Sequence, residues 1–142
     1  MTVRAILDLK GRDVVIIAPE KSLAEAAELL STHRIGALVV VVDGKVSGIL
    51  SERDIVKAVS NGGIDALKGK IADRMTSTVV TCELHDTIAS LMNRMTAGRF
   101  RHVPVVEDGK LAGIVSIGDV VKHRLAEIER ESSALRDYIM TA

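Results

Sequence analysis

The strongest constraint on this chain is an internal repeat. The stretch GILSERD at 48–54 returns as GIVSIGD at 113–119, 65 residues later, and DGK at 43–45 returns at 108–110 with the same offset. Between residues 14 and 57, about a third of the positions are identical to their partners in the second copy. Because such self-similarity marks duplicated structural units, the chain is predicted to fold as two related halves.

Each repeat carries the same order of predicted elements. A short run of β-branched residues (DVVII at 13–17, STVV at 77–80) predicts a strand, and Ser22 or Thr87 then occupies a suitable helix N-cap. After each cap, apolar residues recur at helical spacing, which is typical of a helix face buried in a core. These core candidates are Leu23, Ala26, Ala27 and Leu30 in the first repeat and Ile88, Leu91, Met92 and Met95 in the second.

Two apolar runs around Asp-Gly follow in each repeat and predict a β-hairpin, since this dipeptide suits a tight turn with positive φ. A helix follows each hairpin. The second of these helices is predicted to run on to about Tyr138, because no Gly or Pro interrupts it after Gly118. With helical lead-ins at 2–7 and 70–75, we expect unit one at 1–65, unit two at 66–124 and a helical tail at 125–142.

Composition limits the partners of this chain. Lys and Arg total 19 and Asp and Glu total 19, so no net charge favours nucleic acid. The longest apolar run, IGALVVVV, is too short to span a membrane, and the single cysteine, Cys82, cannot form an internal disulfide. We therefore expect a cytoplasmic protein that binds neither nucleic acid nor membrane.

The repeat resembles a tandem pair of cystathionine-β-synthase (CBS) domains, a Bateman module, over about residues 3–124. The residues that carry this resemblance are the DGKxxGIxS hairpin and the Gly-x-x-Ser-x-x-Asp ending, both present twice. It implies an α/β (α+β) fold of two β-α-β-β-α units with pseudo-two-fold symmetry, forming a disc with two clefts, here with a long C-terminal helix. It also implies a stand-alone regulatory module that pairs as a homodimer and acts on an unknown protein. The implied ligands are AMP, ADP or ATP, with NAD(H) or S-adenosylmethionine as further candidates.

The two Ser-x-x-Asp motifs stand where a strand passes into a helix. Helix N-termini bind anions, so the resemblance implies that Ser51 and Ser116 contact phosphate and that Asp54 and Asp119 accept hydrogen bonds from ribose hydroxyls. The same spacing is also a capping box, in which these residues only satisfy the first turn of the helix. We expect ligand contact in at least one half, a role compatible with capping.

By resemblance, basic residues face the phosphate and short apolar groups face the base. The basic candidates are Arg101 and His102 in the second half and Arg53 in the first. The first half lacks the basic pair, which predicts unequal ligand preferences for the two clefts. The candidates for the base are Ile16, Ile17, Ile35, Gly36 and Ala37 in the first half and Thr81, Cys82, Val103, Pro104 and Ile114 in the second.

Other classes of function are less favoured. Four histidines and Cys82 supply reactive groups, yet no Ser/His/Asp or Cys/His motif appears, and CELH at 82–85 offers too few ligands for a structural zinc site. No glycine-rich stretch matches a P-loop or a dinucleotide fingerprint. We expect neither catalysis nor a bound metal. The main alternative is an interaction or dimerisation module that acts through the C-terminal helix, with Leu125, Ile128, Leu135 and Ile139 among charged residues.

Overall fold

The computed structural model describes residues 1–141 and has five α-helices and two small sheets. The first half contains α1 (Val3–Lys10), β1 (Ile16–Ile17), α2 (Leu23–His33), β2 (Ala37–Val42), β3 (Lys45–Ser51) and α3 (Glu52–Gly62). Two 3₁₀ turns, Ile64–Lys68 and Ile71–Asp73, join it to the second half. The second half contains α4 (Ile88–Gly98), β4 (His102–Glu107), β5 (Lys110–Ser116) and α5 (Ile117–Thr141).

Both predicted hairpins form, and they match residue for residue. Strands β2 and β3 pair antiparallel, as do β4 and β5, and each pair carries a bulge at the equivalent place, after Val40 and after Val105. The turn residues Asp43 and Asp108 both have φ of 52°, and the glycines that follow have φ of 78°. Positive φ at both central positions is what a two-residue hairpin turn requires, so the Asp-Gly prediction is confirmed.

The first strand differs between the two halves. In the first half, β1 runs parallel to β2, and Val39 N–H donates to the carbonyl of Val15. The strand predicted at 77–80 does not form; only an isolated parallel bridge joins Cys82 to Val105. The residue equivalent to Val39 is Pro104, which has no N–H to donate, so the pairing cannot extend toward residue 80.

Two apolar clusters form the core, and the chain crosses between them. The predicted stripes of α2 and α4 are buried in separate clusters, one for each half. Residues Val3, Ile6 and Leu7 of α1 pack into the cluster of the second half, whereas Ala66, Leu67 and Ile71 of the connecting segment pack into that of the first half. Each half therefore completes its core with a segment that precedes the other half, which ties the two halves together.

The hairpins of the two halves meet through contacts between β3 and β5. Helix α5 packs at its beginning against α1 and α4, and from Ser132 to Thr141 every residue is exposed. In the part of the chain that the structure describes, no helix combines the length and the apolar character needed to cross a membrane.

Candidate functional site: the cavity between the two units

A cavity of about 850 Å³ lies between the two halves. This volume is in the range of pockets that hold small-molecule ligands. Both halves contribute to its wall, which is lined by Gly36, Ile49, Ser51, Glu52, Arg53, Asp54, Thr76, Thr78, Val79, Val80, Gly98, Arg99, Phe100, Arg101, His102, Ser116, Ile117 and Gly118.

Two helix N-termini open onto this cavity, those of α3 and α5. At α3, Ser51 N–H and Ser51 Oγ donate to Asp54 Oδ2 at 2.8 and 3.1 Å, and Asp54 N–H donates to Ser51 Oγ at 3.3 Å. Ser116 and Asp119 form the same arrangement at α5. Both motifs are thus capping boxes, and each hydroxyl stands at the positive end of a helix dipole.

Cations surround the α3 N-terminus. Arg53, Arg99 and Arg101 line the cavity together with His102, against the two carboxylates of Glu52 and Asp54. Burial lowers the pKa of His102 from its ordinary value, and the neighbouring charges of Arg101 and Lys10 lower it further. The imidazole is therefore neutral near pH 7 in the unliganded protein, and the arginines supply the positive charge that an anion requires.

An apolar wall faces these charges, formed by Ile49, Val79, Val80, Phe100 and Ile117. None of these five residues was predicted from the sequence as a ligand contact. Two of them could have been predicted, because Phe100 and Ile49 are the repeat partners of the predicted residues Ile35 and Ile114. Applying the 65-residue offset to each predicted residue would therefore have identified them.

The structure brings together seven of the residues predicted for ligand contact and places the others elsewhere. Gly36, Ser51, Arg53, Asp54, Arg101, His102 and Ser116 line the cavity. Ile35 lines a neighbouring groove of about 580 Å³ between α2 and α3, and Ile16 and Thr81 are exposed outside the cavity. Buried in the protein are Ile17, Ala37, Cys82, Val103 and Pro104, whereas Ile114 and Asp119 contact Lys10.

Cys82 is a core residue with 2% of its surface exposed. Burial, with a further contribution from Asp86, raises the pKa of its thiol to about 12. Its backbone N–H donates to the carbonyl of Pro104, and its carbonyl accepts from the N–H of Val106. The side chain is therefore a protonated thiol that fills space in the core beside β4.

Three potential metal ligands lie close together in the segment after Cys82: Glu83, His85 and Asp86. His85 Nε2 lies 3.1 Å from Glu83 Oε2, while Asp86 Oδ2 accepts from Glu83 N–H at 2.8 Å and from Arg94 at 3.2 Å. Two donors of the protein engage Asp86, and Glu83 and His85 are exposed, an arrangement that is common without a metal ion.

Comparison with known proteins identifies the repeat. The family model of the CBS domain matches the chain twice, over residues 6–61 and 69–126. A crystal structure of a CBS-domain containing protein from Agrobacterium tumefaciens matches with 54% identity and a TM-score of 0.84, covering 87% of this chain and 99% of its own.

Two further solved structures contain adenosine ligands. One is a CBS domain pair in complex with 5′-methylthioadenosine and S-adenosyl-L-methionine; it is 27% identical, covers 89% of this chain and 98% of its own, and has a TM-score of 0.79. The other is a CBS domain protein from Pyrobaculum aerophilum complexed with AMP, 27% identical over 84% of this chain and 89% of its own, with a TM-score of 0.75. The double match and the shared fold show that this chain belongs to the CBS domain family, as a tandem pair.

Proposed function

We propose that this chain is a sensor that binds an adenosine nucleotide in the cavity between its two CBS units and thereby regulates a partner protein. The observation that carries this proposal is the convergence of two helix N-termini, three arginines and an apolar wall in one cavity of about 850 Å³. Similar CBS pairs bind AMP, 5′-methylthioadenosine and S-adenosyl-L-methionine, which supports the same ligand class here.

Each part of such a ligand has a chemical counterpart in the cavity. The phosphate fits the N-terminus of α3 beside Arg53 and Arg101, where the positive end of the helix dipole and the guanidinium groups favour an anion. Asp54 uses Oδ2 for the cap, and its other carboxylate oxygen is an acceptor suited to ribose hydroxyls. The adenine fits the apolar wall that includes Val80 and Phe100.

Regulation follows from the construction of the cavity. Residues from both units line it, so a ligand contacts both and stabilises the relative placement in which these contacts form. Such a shift alters the surface that a regulated partner recognises. We assign the cavity a binding role, since its helix N-termini, arginines and apolar wall suit a nucleotide ligand.

Calorimetric titration with AMP, ATP, NADH and S-adenosyl-L-methionine tests this proposal. We expect at least one of them to bind, and Asp54→Ala to weaken its binding by about tenfold or more, because the variant loses a charged acceptor. Glu25→Ala is the matched control, since it removes the acid of the capping box of α2, which does not line the cavity. If no adenosine ligand binds at millimolar concentration, the sensor function is wrong.

A second candidate function, self-association through α5, rests on a separate observation. Leu125, Ile128, Leu135 and Ile139 are between 45% and 64% exposed and follow the spacing of the a and d positions of a heptad repeat, with Ser132 at the a position between them. This stripe lies uncovered along α5. We infer that a second copy of the chain covers it, forming a two-helix seam.

Charges beside the stripe favour a parallel arrangement of the two helices. In a parallel seam, each g residue lies near the e residue that follows it by five positions in the partner. Arg124 and Glu129 have this relation, and so do Glu131 and Arg136. Both pairs join opposite charges, so a parallel dimer gains complementary contacts on each side of the seam. The homodimer predicted from the sequence thus has a specific candidate interface.

A further inference from the structure

The two Ser-x-x-Asp motifs are equivalent in sequence but differ in one contact. Lys10, the last residue of α1, donates from Nζ to Asp119 Oδ2 at 2.8 Å and to the carbonyl of Ile114 at 3.0 Å. In the described part of the chain, no lysine or arginine forms an ion pair with Asp54. The second motif therefore carries an internal cation that the first lacks.

The backbone near the two motifs differs at the same place. Ile49 precedes Ser51 by two residues, and it pairs through both N–H and C=O with Thr76, at 3.0 and 2.9 Å. The carbonyl of its repeat partner, Ile114, instead accepts a hydrogen bond from Lys10 Nζ. Ile49 and Thr76 both line the large cavity, so the symmetry of the repeat puts the counterpart of that cavity, the second cleft, beside Lys10 and Asp119.

Lys10 saturates the Asp119 oxygen that it contacts. Asp119 Oδ2 accepts from Ser116 N–H at 2.9 Å, from Ser116 Oγ at 3.0 Å and from Lys10. Burial by itself would raise the pKa of Asp119, but the hydrogen bonds from Lys10 and Ser116 hold it below its ordinary value. A ribose hydroxyl arriving at the other oxygen, Oδ1, meets a carboxylate whose negative charge the ammonium of Lys10 already offsets, so Asp119 is a weaker acceptor than Asp54.

The second cleft also lacks the cations of the first. By the 65-residue offset, Arg53, Arg101 and His102 of the cavity correspond to Gly118, Gly36 and Ala37, none of which carries a charge. Arg99 alone has a basic partner, Arg34, which lines the groove between α2 and α3, and the cation that contacts Asp119 is Lys10. A nucleotide phosphate therefore finds less positive charge there.

We propose that Lys10 is an intramolecular latch that withholds Asp119 from ligands, so that each chain binds one adenosine nucleotide strongly at Asp54 and a second only when Lys10 is displaced. This inference rests on the proposed function, because it assigns the ribose role to both aspartates. The latch makes the second cleft a conditional site, and the fraction of chains with Lys10 displaced sets its apparent affinity.

Titration of the purified chain with AMP tests the latch. In the wild type, we expect a second site weaker than the first by about tenfold or more, and Lys10→Met should tighten it by a similar factor, since the side chain keeps its length but loses the cation. Lys10→Arg retains the cation and should behave as the wild type does. Lys68→Met removes an exposed cation that pairs with Asp65 outside the large cavity, and it serves as the matched control.

The same variants separate the failure of the latch from the failure of the sensor. In an Asp54→Ala background, Lys10→Met should restore a single AMP site that Asp119→Ala then removes. If Lys10→Met binds AMP at both sites with wild-type affinity, the latch is wrong but the sensor stands. The same holds if Lys10→Met loses binding at the second site, because Lys10 would then be a ligand contact. If no variant binds AMP, the proposed function fails together with the latch.

Without any ligand, carbon-detected NMR titration should show a higher Asp119 pKa in Lys10→Met, and an unchanged pKa also overturns the latch.

Discussion

The backbone N–H of Val3 donates to the carbonyl of Asp86 at 2.9 Å, which joins the beginning of α1 to the segment that precedes α4. The first half contains the same bond, from the N–H of Ile71 to the carbonyl of Lys21, also at 2.9 Å. Each unit of the pair thus receives its lead-in segment from the sequence before the other unit. This exchange couples the two cores, although each retains its own hydrophobic cluster.

Truncation of the buried face of α1 should therefore destabilise the second unit. Ile6 has 0% of its surface exposed and packs in that cluster, so Ile6→Ala should lower the free energy of unfolding by about 2–5 kcal/mol. Leu9→Ala is the control on the same helix: Leu9 is 77% exposed, and the expected change is within about 0.5 kcal/mol. Urea unfolding followed by circular dichroism measures both. Equal small effects would mean that α1 is not docked.

Local features of this fold could be predicted from the sequence because the repeat presents each of them twice. The Asp-Gly turns at 43–44 and 108–109 have the backbone angles that their residue types favour. The Ser-x-x-Asp spacing predicts capping boxes, and both form. These features depend on contacts within a few residues, which periodicity and residue type determine.

Features that depend on contacts across the chain could not be predicted in this way. The apolar face of α1 would suit either core, so its sequence does not say which unit it joins. Arg101 and His102 share one cavity with Ser51, although the sequence pattern grouped the basic pair with the second half. Lys10 before Gly11 is an ordinary helix C-terminus in sequence, and only the fold brings it to Asp119.

The arginines of the cavity should contribute to phosphate binding and little to nucleoside binding. Arg101→Gln removes a cation from the cavity wall, so we expect about a tenfold loss of AMP affinity, with adenosine affinity nearly unchanged. Arg130→Gln, on the exposed part of α5, is the matched control and should leave both affinities as they are. Calorimetry with the two ligands measures the difference. An equal loss for adenosine would place Arg101 away from the phosphate.

The buried imidazole of His102 should make stability depend on pH. Burial lowers its pKa below the ordinary value of 6.5, so the unfolded chain binds a proton more readily than the folded protein does. Stability is therefore lost as the pH falls below about 6.5, and this loss levels off below the lowered pKa. His102→Gln should lack that part of the loss. Unfolding at several pH values measures it, and identical profiles for wild type and variant would contradict the burial argument.

The apolar stripe on α5 should hold two chains together. Leu135 is 60% exposed, and Leu135→Asp places a charge in the seam, so sedimentation velocity should show a wild-type dimer and a monomeric variant. Ser133→Asp adds the same charge to the outward face and should remain dimeric. A dimer that persists in Leu135→Asp would mean that the stripe is not the interface.

The direction of the two helices can be tested with an introduced thiol. In a parallel seam, Ile139 of one chain faces Ile139 of the other, so Ile139→Cys should form a disulfide-linked dimer under mild oxidation. The natural thiol does not interfere, because Cys82 is 2% exposed and its pKa is about 12. An antiparallel seam separates the two introduced cysteines by several helical turns and prevents the link. If Leu135→Asp is monomeric and Ile139→Cys does not cross-link, the stripe on α5 is the interface but the two helices are antiparallel.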